Sequence, residues 1–401
     1  MRVAIVTTSG IDPLYRNWPE YALARGLVAR GHEVTIYRYE PAGSPACGTI
    51  DGIGVRTARP GPLGSPDLRR QLDHDARPDV VHLWHIRNLL AYEGARYARR
   101  HGLPLVHTPN GPLHDDYLVA DRDRPFEGRL RYDRLAFTVP DLLRRLAAER
   151  RPRHALRNYR IHAPLRAADR LIAISEHEAR ALRRYGIPAA RIATIPQWVD
   201  VAYQDALPQE PAALDLPRPL LLYVGQLKYR KGFDVLAAAM PLVLRDFPTA
   251  SFVFVGHSPL HRDALEASAR ASGVAGHLHL LGRPDPAELN RLYRAADALI
   301  LPTRYEGFGL PPLEAMASGC PVITTDVPAV NELVRDGENG LLARYGDPAS
   351  LAATIGRLLA DPALRARLVA AGRETVTARY GGDRLVARIE AVYRECGDDR
   401  R

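Results

Sequence analysis

Two stretches of this chain carry side chains whose types and spacing can do chemistry. Residues 223–233 read YVGQLKYRKGF and contain both lysines of the protein, Lys228 and Lys231, while the other 53 basic residues are arginine. The pattern is a strand, a glycine turn and a helix that begins near Gly232–Phe233. A ligand at such a turn meets unpaired backbone N–H groups and the positive end of a helix dipole. Lys231, just ahead of the helix, adds a compact charge suited to a diphosphate. No GxxxxGK string followed by Ser or Thr is present, so this is not a Walker loop. Residues 304–325 read RYEGFGLPPLEAMASGCPVITT, with Glu306 and Glu314 eight positions apart around GFGLPPL. Gly307 and Gly309 permit close backbone approach to a ligand, and the two prolines suit a first helical turn. This is a second phosphate-ready helix start, flanked by carboxylates that can accept hydrogen bonds from sugar hydroxyls.

The elements that position these loops follow from the alternation of short apolar runs with helix-period segments, the pattern of parallel α/β units. Strands are expected at Val3–Thr7, Val34–Tyr37, Val80–Leu83, Leu105–Thr108, Leu171–Ile174 and Ile192–Ile195. A second series is expected at Leu220–Val224, Phe252–Val255, Leu278–Leu281, Ala298–Leu301 and Val322–Thr324. Between the first two strands, WPEYALARGLVARGHE has helical apolar spacing and a stop at Gly31. The proline-rich residues 201–219 read as a linker. The expected organisation is an α/β protein of two doubly wound, Rossmann-like domains facing a cleft, residues 1–200 and 220–379, with ligands at the carboxyl ends of their strands. A C-terminal helix over 380–401 is expected to return to the first domain.

The chain has 401 residues and a net charge of +9. Residues 1–198 hold 32 Arg against 21 acidic groups, whereas 199–401 hold 23 basic and 25 acidic groups. A basic half can attract nucleic acid, an anionic membrane surface or an acidic small substrate. No nucleic-acid recognition motif accompanies it, and that partner is not expected. Residues 112–168 carry no convincing strand and form an insertion. Nine arginines lie between Arg144 and Arg170, beside an apolar stripe at Leu142, Leu143, Leu146 and Ala147. That stretch reads equally as a basic amphipathic helix for anionic lipid and as a solvated insertion. Three widely spaced cysteines suit a reducing cytoplasm. MRVAIVTTSG reads as a strand and turn, not a signal peptide, and no apolar run is long enough to span a bilayer.

With these motifs assembled, the chain resembles the retaining glycosyltransferases of the GT-B fold, glycosyltransferase family 4. The resemblance is most specific in YVGQLKYRKG, the Glu306–Glu314 motif and CPVITTDVPAVNELVRDGENGLL. ARGHEVTIY and RLIAISEHEARALRRYGIPAARIATIP extend it into the first half. It implies that Glu314 holds the nucleotide ribose and Glu306 the donor sugar hydroxyls. It further implies that backbone amides of Gly307, Phe308, Gly309 and Leu310 reach the donor phosphate or sugar, and that Lys231 balances the diphosphate. The family's arginine after the loop glycine is replaced here, since Gln226 follows Gly225; Lys228 or Arg230 is placed to supply the charge. The nucleotide base is expected near Leu281, Gly282 and Arg283. Asn110, in HTPNG, stands where the family has an active-site histidine, and SGIDPLYRNWPE, with Gly10, replaces an early Gly-Gly pair on the acceptor side.

Other candidates are weaker. His82 and His85 flank Trp84 at a strand end and can line an acceptor cleft, though His82 reads at least as readily as a core histidine, and His107 reads as packing within its strand. Asp121 and Asp123 imitate a metal-binding DxD but sit in DRDRP, which reads as a solvated loop. SEHEAR reads as a capped helix start from Ser175. No cluster has metal-ligand spacing, so no metal cofactor is expected and a nucleotide-diphosphate sugar is the co-substrate. No clear carboxylate nucleophile presents itself opposite the donor, which favours the front-face transfer with retention that the family resemblance implies. Alternatives with the same architecture are a nucleotide-sugar 2-epimerase and a non-catalytic nucleotide-sugar-binding relative. The expected location is the cytoplasm or the inner face of the cell membrane, with a lipid-linked or acidic acceptor.

Overall fold

The computed structural model describes residues 1–8, 11, 18–39, 47–59, 61, 64–86, 88–111, 138–148, 152–256 and 261–399. They form two compact units. The first comprises the described residues up to Pro196 together with the C-terminal helix Gly382–Asp398, and the second comprises Gln197–Gly381.

The first unit is built on β1 (Arg2–Val6), β2 (Glu33–Tyr39), β3 (Cys47–Ile50), β4 (Ile53–Ala58), β5 (Val80–Trp84), β6 (Leu105–Thr108), β7 (Arg170–Ala173) and β8 (Ile192–Thr194). Their order is β3-β4-β2-β1-β5-β6-β7-β8, parallel except for the β3–β4 pair. Strands such as VVHLW are buried throughout, so they read as continuous apolar runs, as expected where helices cover both faces. The C-terminal helix packs on helix Pro19–Ala29 so closely that a Cβ on Gly26 would come 2.7 Å from a Val386 methyl. Arg30 and His32 bind Glu390 at 2.6 and 3.1 Å, and Tyr393 bonds His82 at 2.7 Å.

The second unit is built on β9 (Leu220–Val224), β10 (Ser251–Val255), β11 (Leu278–Leu281), β12 (Ala298–Leu301), β13 (Val322–Thr325) and β14 (Leu341–Ala343). All are parallel, in the order β11-β10-β9-β12-β13-β14. The order reverses between β9 and β12, so the crevice outside their carboxyl ends is the place where such a sheet binds ligands. Three helices here start on Asp-Pro pairs, with Asp285, Asp347 and Asp361 each capping the backbone N–H three residues on.

Each of the eleven expected strands is present, within a residue or two at the ends. The β3–β4 hairpin was not expected, although Asp51-Gly52, with φ of +49° and +76°, is the turn chemistry of a tight hairpin. β14, only three residues long, was also not expected. Residues 201–219 are not a bare linker. Val201–Ala206 is a helix capped by Asp200, and buried Gln204 donates to Asn290 and Ser318 at 2.9 Å each. A polar network rather than an apolar stripe holds this helix, so periodicity did not reveal it. The basic insertion contains two helices, Val139–Ala148 and Pro152–Ala167, and its remaining residues lie outside the described ones.

Candidate active site

The loops that follow β9 and β12 are joined to each other. After β9 the chain passes through a short turn, Tyr229–Lys231, to Gly232 at φ +74°, and enters helix Phe233–Asp246. A Cβ on Gly232 would lie 1.8 Å from the Pro302 carbonyl oxygen, so only glycine lets the two loops meet. The Arg304 amide and the Thr303 hydroxyl both donate to the Arg230 carbonyl, at 2.8 and 3.0 Å. The Arg304 guanidinium grips Asp234 with two bonds of 2.5 and 2.6 Å. Neither Asp234 nor Arg304 was singled out in the sequence, because the 70 residues between them hide a contact made only in the fold.

This junction brings Lys231 to Glu306. Lys231 Nζ donates to Glu306 Oε1 at 2.5 Å, Thr303 Oγ1 lies 3.2 Å from the same oxygen, and Arg230 lies 3.5 Å from Oε2. Burial pulls the Lys231 ammonium below its ordinary value against the opposing pull of Glu306. Burial would also raise Glu306, but Lys231 and then Arg230 outweigh it and hold the carboxyl below the usual range. The carboxylate is thus ionised and held among cations that a diphosphate can also recruit. Arg230 further donates to the Tyr305 carbonyl at 2.9 Å, whereas Gln226 is exposed.

Gly309, at φ +118°, turns the chain into helix Leu310–Ala317, which carries Glu314. Tyr293 donates to Glu314 at 3.1 Å, a partner not found in the sequence. Burial, reinforced by Glu314, holds the Tyr293 phenol well above its ordinary value, so it remains a donor. Phe308 is buried and packs its ring 5.5 Å from Tyr380. Gly225, Gly256 and Gly282 abut at the ends of β9, β10 and β11. The Gly256 amide donates to the Gly282 carbonyl at 3.1 Å, and a Cβ on Gly256 would come 2.1 Å from the Gly225 carbonyl oxygen. Gly282 and Arg283 are exposed beyond β11.

In the first unit, His85 and Asn110 follow β5 and β6 and meet, with Asn110 Nδ2 3.1 Å from His85 Nδ1. Both have left-handed backbones, φ +64° and +56°. His85 Nε2 lies 3.5 Å from Glu20, a residue the sequence did not single out. His82 and His107 are fully buried, and burial pulls them down to about 3 and about 4, so they are neutral packing groups. Gly10, Asp121 and Asp123 lie outside the described residues. Among the described residues, no group of three or more His, Cys, Asp or Glu is placed to hold a metal ion.

Glu178 anchors the Asn110–Gly111 turn by accepting from the Gly111 amide at 3.0 Å and the Ile174 amide at 2.7 Å. Burial pushes its carboxyl from 4.5 up to about 7. The folded protein therefore holds this proton more tightly than the unfolded chain. The resulting stability is fully present below pH 4.5 and is lost as pH rises through about 7. Glu178→Gln should flatten that part of a pH–stability curve, removing a change on the order of 3 kcal/mol. An unchanged curve, from denaturant melts between pH 4.5 and 8, would refute the assignment.

Known proteins share this architecture. Sucrose-phosphate synthase from Thermosynechococcus elongatus superposes with a TM-score of 0.73 over 98% of both chains, at 23% identity. Anabaena HepE, solved in complex with UDP and glucose, superposes with a TM-score of 0.71 over 98% of this chain and 100% of that one, at 18% identity. The fold is GT-B, the two-unit Rossmann-like class used by glycosyltransferases. Residues 208–375 match the family described as Glycosyl transferases group 1, and residues 21–203 match Glycosyltransferase Family 4. D-inositol 3-phosphate glycosyltransferase of Nocardiopsis dassonvillei is 31% identical over 409 residues, covering 93% of this chain and 88% of that protein. The chain belongs to glycosyltransferase family 4.

Proposed function

We propose that the protein transfers a hexose from a nucleotide-diphosphate sugar to an acceptor hydroxyl, with retention at the anomeric carbon and without a metal. The observation that carries this reading is Lys231 and Glu306 joined at the β9/β12 reversal, each beside a helix start. Lys231 and the N-termini of helices Phe233–Asp246 and Leu310–Ala317 stabilise the departing diphosphate. The bond from C1 to the phosphate oxygen breaks, and that oxygen takes the acceptor's proton. The acceptor oxygen then bonds C1 on the same face. Glu306 orients the sugar and the cations around it, and Asn110 and His85 serve the acceptor side. A thermal-shift screen of UDP, GDP, ADP and TDP tests the donor. At about 100 times the dissociation constant, the right nucleotide adds roughly 2.7 kcal/mol. No response to any of them would sink the reading, and an undiminished turnover in EDTA is expected. Conversion of a nucleotide sugar with no second substrate would indicate the 2-epimerase instead, and tight donor binding without transfer or hydrolysis a non-catalytic protein.

The two motif glutamates should separate kinetically. Glu314→Ala should weaken donor binding, because a ribose contact is made equally in ground and transition states. Glu306→Ala should mainly lower turnover, because it disorders the cations around the breaking bond. Equal losses of donor affinity, by calorimetry with the nucleotide, would contradict this division.

We propose further that the acceptor is lipid-linked and is met at an anionic membrane surface. On helix Val139–Ala148, Val139, Leu143 and Leu146 are 54, 60 and 38% exposed and recur at i, i+4 and i+7, an apolar ridge beside Arg144 and Arg145. No helix among the described residues is long and apolar enough to cross a membrane. Each basic residue near such a surface contributes roughly 1 kcal/mol, screened by salt. The protein should co-sediment with phosphatidylserine vesicles at low salt and be released by high salt or by Leu143→Glu. Protein left in the supernatant at low salt would favour a soluble acceptor.

A further inference from the structure

We propose that Glu20 and His85 are positioning residues that turn the Asn110 amide toward the acceptor hydroxyl, the three acting as one relay. The proposal rests on the placement of Asn110 at the acceptor side. Glu20 is 1% exposed, in the first turn of helix Pro19–Ala29, where the helix dipole favours a carboxylate. Its Oε1 lies 3.4 Å from the Thr7 hydroxyl and 3.5 Å from His85 Nε2. His85 and Asn110 hold left-handed backbones that cost non-glycine residues roughly 1 kcal/mol each, so their surroundings must impose them. The His85 amide is fixed by the Thr108 carbonyl at 3.0 Å.

Proton placement then follows from what each group can do. An ionised Glu20 only accepts, so the facing Nε2 of His85 carries the ring proton. Nδ1 is left as an acceptor and takes the bond from Asn110 Nδ2, 3.1 Å away. That bond decides which branch of the amide is the nitrogen and therefore where Oδ1 points. An amide oxygen can accept a hydrogen bond from the acceptor's hydroxyl but is too weak a base to remove its proton. Asn110 thus orients the nucleophile while the leaving phosphate takes the proton, which suits a front-face transfer.

The test combines imidazole spectroscopy with kinetics on UDP-glucose. With 15N-histidine at pH 8, His85 should show a bare Nδ1 and a protonated Nε2. Glu20→Gln keeps the shape but supplies an amide that can donate or accept, so both tautomers should appear. Turnover in that variant should fall roughly tenfold or more with UDP affinity unchanged. Glu20→Gln combined with Asn110→Ala should be no slower than Asn110→Ala alone, since members of a unit are not additive. An Nδ1–H tautomer in the wild type, or losses that multiply, would overturn the relay. A protein that neither binds UDP nor consumes UDP-glucose would instead refute that donor, and the imidazole spectrum alone would then decide the relay.

Discussion

Replacing Lys231 by alanine should lower kcat/KM by about 2–4 kcal/mol, or roughly thirty- to a thousandfold, the loss expected when a charge opposing a developing diphosphate is removed. Lys228→Ala should cost far less. The ion pair with Glu306 adds a second consequence. Without Lys231, a carboxylate whose side chain is only 7% exposed keeps Arg230 at 3.5 Å and Thr303 as partners. Losing the nearer cation leaves that buried charge less compensated, so the variant should also melt earlier. Lys231→Ala with Glu306→Gln should recover the melt but not the turnover, separating the charge owed to the fold from the charge owed to the reaction. Lys231→Arg should recover part of the rate, because a guanidinium fork cannot occupy the place of a point charge. If Lys228→Ala proved the more damaging, Lys228 would have taken over from the arginine replaced by Gln226.

Gly232→Ala should be among the most damaging single methyl additions. Its φ of +74° alone costs a non-glycine residue about 1–2 kcal/mol. The new Cβ would also meet the Pro302 carbonyl, oxygen at 1.8 Å and carbon at 2.6 Å, which is backbone and cannot swing aside. The β9 and β12 loops must then part, breaking the bonds from Arg304 and Thr303 to the Arg230 carbonyl. A total near 4 kcal/mol corresponds to a fall in melting temperature of about 10 °C. Gly276→Ala, where an added Cβ meets nothing within 4 Å, is the matched control and should melt like the parent. Equal melting of the two variants would mean that the loops do not touch as described.

The fold was legible because parallel strands buried on both faces are written as unbroken apolar runs, and LLLYV, SFVFV and ALIL are all wholly buried. The hairpin at 47–58 escaped because β3 is nearly all exposed and carries no apolar face. The loops after β9 and β12 were legible because Gly232 and Gly309, with Pro311 and Pro312, announce helix starts beside charged residues. The pairing of Lys231 with Glu306 was not, since 75 residues separate them and only the strand order makes β9 and β12 neighbours. For the same reason His85 and Asn110 read as two separate candidates, and Glu20, an acidic residue in a helix's first turn, was not singled out.

Both lysines of the chain lie in one loop, and one of them is paired with a carboxylate and only 14% exposed. Isotope introduced through lysine alone therefore illuminates nothing but this loop. Two side-chain ammonium resonances would cover the whole protein. The exchange of the Lys231 protons with water should be slowed by Glu306, whereas those of Lys228 lack that brake. A nucleotide entering beside Lys231 would shift one resonance and spare the other, so the loop serves as its own reporter without a foreign label.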